Sequence, residues 1–309
     1  RNPNYRLLTT LSTDIILEIS QYLDSEEKLA LRQVSLGMKH ICDGLPVELA
    51  LSSLLVYEDR LEFYYGENLV RCSTKDGVCT LRNNGREYSI RNENFLKLGM
   101  KCVKFVFEHP KRIFQSLVIN HCSRGETWNQ FQPILERNLR ELTHKLSMKT
   151  LITKGFDLKY LPNILQFIQP GFLSSWTLND GINEKMNAEV WNKIKETDCW
   201  KHLKTFNGVH SKTGFLMPKP LSDYFHLCNF EMMIHSCSPD DLILIRDILL
   251  KKPHFKNFEM FINSEFDSNA LEIVFGTETT NSFDYQVPGM ADVFFGSQFG
   301  RILRIYRKS

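Results

Sequence analysis

Apolar positions along the chain change their spacing three times. From Leu11 to Asp43 they recur every three or four residues, through Ile15, Ile16, Ile19, Tyr22 and Leu23, then Leu29, Leu31 and Val34, then Met38 and Ile41. This spacing predicts three short helices. Ser12 or Thr13 can cap the first, with Asp14 in its opening turn. Asp24-Ser25 ends it and can cap the second, whose Glu26-Glu27 lies at the positive end, and Ser35 opens the third. So small a helical unit buries only a thin core, which leaves apolar side chains over for the rest of the chain or for a partner.

From Leu51 to about Ile90 the runs become short and β-rich: Leu54-Leu55-Val56, Arg60 to Tyr65, Leu69 to Cys72, Val78 to Leu81 and Glu87 to Ile90. The segments Gly66-Glu67-Asn68, Lys75-Asp76-Gly77 and Asn83-Asn84-Gly85 separate them, and Asp-Gly and Asn-Gly tolerate the positive φ of tight hairpins. An antiparallel meander is expected. It serves either as a spacer or as an added recognition surface, with the spacer preferred.

From about Phe95 onward the chain repeats itself. Asn229-Phe-Glu-Met-Met-Ile-His235 and Asn257-Phe-Glu-Met-Phe-Ile-Asn263 are nearly one segment written twice. Upstream, Ser116 to Asn120, Thr150 to Thr153, Ser175 to Asn179 and Phe206 to Val209 fall into the same series, at steps near the length of a leucine-rich repeat. Helical patterns fill the gaps at Trp128 to Glu141, Leu158 to Ile168, Ala188 to Thr197 and Pro239 to Leu250, with Ser238 as a cap for the last. The fold class expected is mixed α/β. A three-helix unit (1–45) and a β-rich connecting region (46–94) lead into a leucine-rich-repeat-like β/α solenoid (95–309) of parallel strands. Asn120, Asn179 and Asn263, each closing a strand, are expected to bond neighbouring backbone as a structural ladder. Phe283 to Val287, Ala291 to Phe295 and Arg301 to Tyr306 predict a β hairpin that caps the last open edge. Arg301, Arg304, Arg307 and Lys308 form a basic tail, a solvated edge by default and an acidic-partner site as the lesser alternative.

Composition narrows the function classes. Thirty-eight basic residues against 36 acidic ones are too balanced for affinity built on neutralising nucleic-acid phosphates. No apolar window reaches the ~18 residues of a membrane span, and residues 1–4 show no apolar signal region. The absence of an initiator Met leaves open that the chain begins within a longer sequence. Eight cysteines, mostly inside apolar runs, include no C-x-x-C pair, and no Asn-x-Ser/Thr acceptor occurs. Reduced thiols in the cytoplasm, with the nucleus as a second compartment, are expected. His235-x-Cys237 has no second ligand pair, so no metal site is expected. No cofactor is called for: nucleophile elbow, Walker loop, H-E-x-x-H and G-x-G-x-x-G are all missing. Intrinsic catalysis is not expected.

Two stretches resemble known families. Leu11-Ser-Thr-Asp14-Ile-Ile-Leu-Glu-Ile19-Ser-Gln-Tyr22-Leu23-Asp24, followed by Leu29-Ala-Leu31-Arg32-Gln-Val34-Ser35, resembles an F-box. Ser12 stands where that family has Pro, Lys28 where Asp is frequent, and Leu36-Gly37 replaces a basic pair. The resemblance implies docking to the Skp-type linker subunit of a cullin-based SCF ubiquitin ligase. The contacts it implies are Leu11, Ile15, Ile16, Ile19, Leu23, Leu29, Leu31 and Val34, some of which must instead build the three-helix core. The alternative is a helical cap on the following domain. Further on, Leu161-Pro-Asn-Ile-Leu165 with Pro170-Gly171-Phe172-Leu173, then Cys199-Trp200-Lys201, Phe225-His226 and Ser238-Pro-Asp-Asp-Leu-Ile-Leu-Ile-Arg246, resemble the FTH domain. F-box first and FTH domain second is the order of the nematode F-box A type. That order implies a non-catalytic adaptor whose C-terminal domain holds a protein for ubiquitination. A ligase-independent scaffold or decoy on the same repeat domain is the other reading.

Strand alternation proposes where such a target lies. With Phe230, Met232 and Ile234 in the core, Glu231, Met233 and His235 face out, and the same phase exposes Glu259, Phe261 and Asn263. Glu231, Met233, His235, Glu259 and Phe261 are the candidate target-binding residues. A slip of one residue sends the whole set to the other face.

Overall fold

In a computed structural model of the chain, the expected helix starts fall on their capping residues. The structure describes residues 11–83, 85–122, 126–179, 182–210, 213–264, 267, 269–276 and 282–308. Helix α1 (Thr13–Tyr22) begins with Ser12 Oγ accepting from the Ile15 amide. Helix α2 (Ser25–Arg32) is opened by a reciprocal pair, in which Asp24 accepts from the Glu27 amide at 2.8 Å and Glu27 from the Asp24 amide at 2.9 Å. Helix α3 (Leu36–Asp43) follows Ser35, which accepts from Met38 N. Ile16, Leu29, Met38 and Cys42 supply the core of these helices, and an Arg32–Asp43 ion pair at 2.5 Å ties α2 to the end of α3.

Contacts divide the chain into two units: residues 1–150 with 167–172, and residues 151–166 with 173–309. In the first unit, β1 (Val47–Val56), β2 (Arg60–Tyr65), β3 (Asn68–Lys75), β4 (Val78–Asn83) and β5 (Arg86–Arg91) form the expected meander. Its turns carry positive φ at Gly66, Asp76, Gly77 and Gly85, where the sequence placed them. Helix α4 (Phe95–Phe107) lies on the strands so closely that a Cβ on Gly99 would stand 2.8 Å from the Leu61 side chain. Strand β6 (Arg112–His121) then runs parallel to β1, giving the order β5-β4-β3-β2-β1-β6. Helix α5 (Glu126–Arg140) and strand β7 (Ser147–Lys154) follow.

The second unit holds the repeat. The predicted helix at 158–168 is shorter than expected: a 3-10 turn at Leu158–Tyr160 leads into α6 (Leu161–Leu165). Then come β8 (Ser175–Asn179), β9 (Ile182–Lys185), α7 (Ala188–Glu196), α8 (Asp198–His202), β10 (Thr205–Asn207), β11 (Val209–His210), β12 (Thr213–Leu216) and β13 (Asn229–Ile234). Helix α9 (Pro239–Leu244) passes into a π-helical turn at Ile245–Leu249 instead of continuing as one α-helix. After it stand β14 (Asn257–Ile262), α10 (Asn269–Phe275), β15 (Ser282–Gln286), β16 (Val293–Phe299) and β17 (Ile302–Arg307).

Strands β8, β10, β13 and β14 are mutually parallel, and the twin segments align residue for residue from Asn229–Asn257 to Ile234–Ile262. Strand β17 adds antiparallel to β14, with β16 and β15 beyond it, which closes the edge as expected. Two pieces were not foreseen: β9 and β12 pair in parallel, and Leu216 continues their line to Met233. One face of the parallel strands packs on helices. Phe230, Met232, Phe258 and Met260 meet Leu221, Phe225 and Ile245 around a void of about 10 Å³, too tight for more than a single water. Trp176, Trp191, Trp200, Phe206 and Tyr224 extend this core as an edge-to-face aromatic cluster. The asparagine ladder does not form at Asn179, whose Oδ1 is buried with no partner among the described residues. Asn263 takes part through its backbone, with its N–H donating to Ile234 O and its carbonyl accepting from Arg301.

Candidate functional site

Each unit carries one surface with binding character. On α1–α3 the apolar stripe is wider than a thin core can cover. Ile16 and Leu29 turn inward, so these two of the eight predicted contact residues build the core. Ile15, Ile19 and Val34 are exposed, and Leu11, Leu23 and Leu31 are half-buried. Tyr22 and Leu36, which the sequence reading did not select, are the most exposed apolar residues of the unit at 83% and 71%. Exposed aromatic and aliphatic residues grouped on one small helical unit mark an interaction surface.

On the second unit the expected strand phase holds. Phe230, Met232 and Ile234 point into the helical layer, as do Phe258, Met260 and Ile262, so Glu231, Glu259 and Phe261 lie on the opposite face. Met233 corrects the expectation of an exposed Met. It shares that face but is only 5% exposed, because Phe261 stands directly beside it and Leu216 flanks it on the other side. His235 is exposed just beyond the end of β13 and is not among the residues lining the cleft. Met233, Phe261, Phe299 and Ile302 line a cleft of about 340 Å³ that Gly300 and Arg301 bound at one end.

Beside the cleft, Arg304 donates to both oxygens of Glu259 at 2.7 and 2.9 Å. Glu231 lies next to Glu259 in the paired strand, and its carboxyl is held above the usual range by burial and by that neighbouring charge. The basic tail is largely answered from within: Arg304 by Glu259, Lys308 by Asp284 at 2.7 Å and Arg307 by Asp292 at 3.5 Å. Arg301 instead donates to the Asn263 carbonyl. Among the described residues no group of three or more His, Cys, Asp or Glu is placed to hold a metal, and no helix is long and apolar enough to cross a membrane.

This sheet falls within a recognised domain, since residues 129–278 match the FTH domain. The chain carries an FTH domain. F-box A protein 224 of Caenorhabditis elegans is 19% identical over 313 residues, covering 96% of this chain and 78% of that protein. Domain and relative together support a nematode F-box A/FTH family protein. The FTH match takes in β8, β10, β13 and β14 and stops before β15, so the cleft combines FTH-domain strands with the closing hairpin. Sequence reasoning gave Phe299 and Ile302 no place in a site and Arg301 a place only in the basic tail. Phe299 falls in a segment that reads as a turn, and only the antiparallel register of β17 on β14 sets Ile302 beside Phe261. The available signal was the pair of large apolar residues flanking Gly300-Arg301.

Proposed function

We propose that the chain is a non-catalytic substrate-recognition adaptor of an SCF-type cullin E3 ubiquitin ligase. In this reading the F-box (1–45) docks to a Skp-type linker and through it to a cullin, region 46–94 connects, and 95–309 is a leucine-rich-repeat-like FTH domain that holds a target protein. The observation that carries it is the apolar surface left open on α1–α3, formed by Ile15, Ile19, Tyr22, Val34 and Leu36 in a stretch with the F-box pattern. F-box A/FTH membership supports the same role. The eight cysteines form no disulfide, in keeping with the cytoplasm or nucleus.

Co-expression with a Skp-type linker, followed by size-exclusion chromatography and mass measurement, tests the reading. A one-to-one complex is expected. Ile19 is exposed and outside the core, so Ile19→Asp is expected to abolish the complex while thermal unfolding stays unchanged. Undiminished co-purification of that variant removes the docking assignment. A wild-type chain that ignores the linker moves the reading to a ligase-independent scaffold or decoy. The departures from the F-box pattern at Ser12 and Lys28 favour that alternative, and Ser12 is engaged in capping α1.

A further inference from the structure

The strand register lays the side chains of the helix-free face in rows that cross the strands. Glu231, Glu259 and Arg304 occupy one row. Met233, Phe261, Ile302 and Phe299 occupy the next and floor the 340 Å³ cleft, with Phe299 85% exposed at its rim. A cleft of this size and lining takes a large apolar side chain.

The charged row is unbalanced. Arg304 is committed to Glu259 by two hydrogen bonds, whereas Glu231, which Asn207 hydrogen-bonds and the Arg304 charge reaches only from a distance, forms no ion pair of its own among the described residues. A half-buried carboxylate with no direct ion pair favours a ligand that brings a cation into contact with it. Arg301, on the far side of the cleft, carries the opposite charge and repels a base there. Rows two residues apart on a strand are separated by about 7 Å, which is also the distance between same-facing side chains of an extended peptide.

We infer that the cleft binds an extended segment bearing a large apolar residue with Lys or Arg two positions away. The apolar side chain fills the space between Met233, Phe261 and Phe299, and the cation pairs with Glu231. The inference deepens the adaptor reading and rests on it for the statement that the segment belongs to a ubiquitination target.

The test pans a randomised peptide library on the full chain and measures a labelled Phe-Gly-Lys peptide by fluorescence anisotropy. Wild type is expected to enrich an aromatic or large aliphatic residue paired with a base. It is also expected to bind Phe-Gly-Lys at least about tenfold tighter than Phe-Gly-Glu, the scale of one close charge pair. Glu231→Lys reverses that preference. Phe299→Asp, at the exposed rim, removes the apolar requirement without shifting thermal unfolding. Should Glu231→Lys fail to fold, the isosteric Glu231→Gln is expected to erase the preference for Lys over Glu.

Enrichment without the apolar–basic pairing, or a folded Glu231 variant that keeps the Lys preference, overturns the inference. Linker binding is measured on the same samples. A chain that binds the linker but lacks this specificity sinks the cleft assignment alone, and one with the specificity but no linker sinks the adaptor reading alone.

Discussion

Three histidines of the first unit, His109 and His121 buried and His144 half-buried, are held below the usual imidazole range chiefly by desolvation. His109 Nε2–H donates to the Cys42 carbonyl at 3.1 Å, and burial, with Arg112 next to it, brings its pKa down to about 4. Burial alone brings His121 to about 4, and burial, with a smaller push from Arg112, lowers His144 despite its bond to the Phe107 carbonyl. These rings stay neutral in the folded chain, whereas the unfolded chain protonates them below about 6.5. The unfolded state therefore binds more protons between those two values, and stability falls as pH drops from 6.5 towards 4. Urea unfolding is expected to show a lower midpoint at pH 5 than at pH 7, and an equal or higher midpoint at pH 5 would contradict this account. Arg112 shows the same environment from the other side. Its guanidinium is almost wholly enclosed, donates to the Val106 carbonyl and is pushed down to about 9 by burial and by Arg32. None of this was legible in the sequence, because burial of a polar side chain follows from what the fold stacks over it.

At the scale of elements, local chemistry was readable where it acts within one turn. Ser238 accepts from the Asp241 amide while Asp241 accepts from the Ser238 amide, so the box that opens α9 is complete. Burial alone would raise Asp241, but the Lys219 ammonium at 2.5 Å and the Ser238 donors bring it below the usual carboxylate range. Ser238→Ala is expected to cost about 1 kcal/mol. A fall in melting temperature and unchanged linker binding would register it, and an unaltered melting temperature would show that Lys219 and Asp241 hold the helix start unaided. The later course of the same helix was not readable. The change to a π turn at Ile245–Leu249 keeps Ile245 and Leu249 in the core, a demand set by the sheet beneath them. Strands β9 and β12 escaped detection because each is four residues long and is held by pairing with other strands, β9 with β12 and β12 with β11 and β13 as well.

Across the whole molecule the two candidate surfaces lie in separate units, which makes their losses separable. Ile19→Asp is expected to lose the linker and keep peptide selection, and Glu231→Lys to do the reverse; loss of both activities in either folded variant would contradict independent surfaces. The sequence alone determined the helix starts at Ser12 or Thr13, at Ser35 and at Ser238, the hairpin turns and the twin strands, because capping, positive φ and alternation act over a few neighbouring residues; burial of Phe230, Met232 and Ile234 decided between the two strand phases. Tertiary structure decided which F-box residues turn inward, with Ile16 and Leu29 buried and Ile15 and Ile19 left open. It also joined β1 to β6, covered Met233 and set Phe299 and Ile302 beside Phe261. Those outcomes rest on register between strands distant in the chain, and periodicity gives a strand its two faces but not its neighbour.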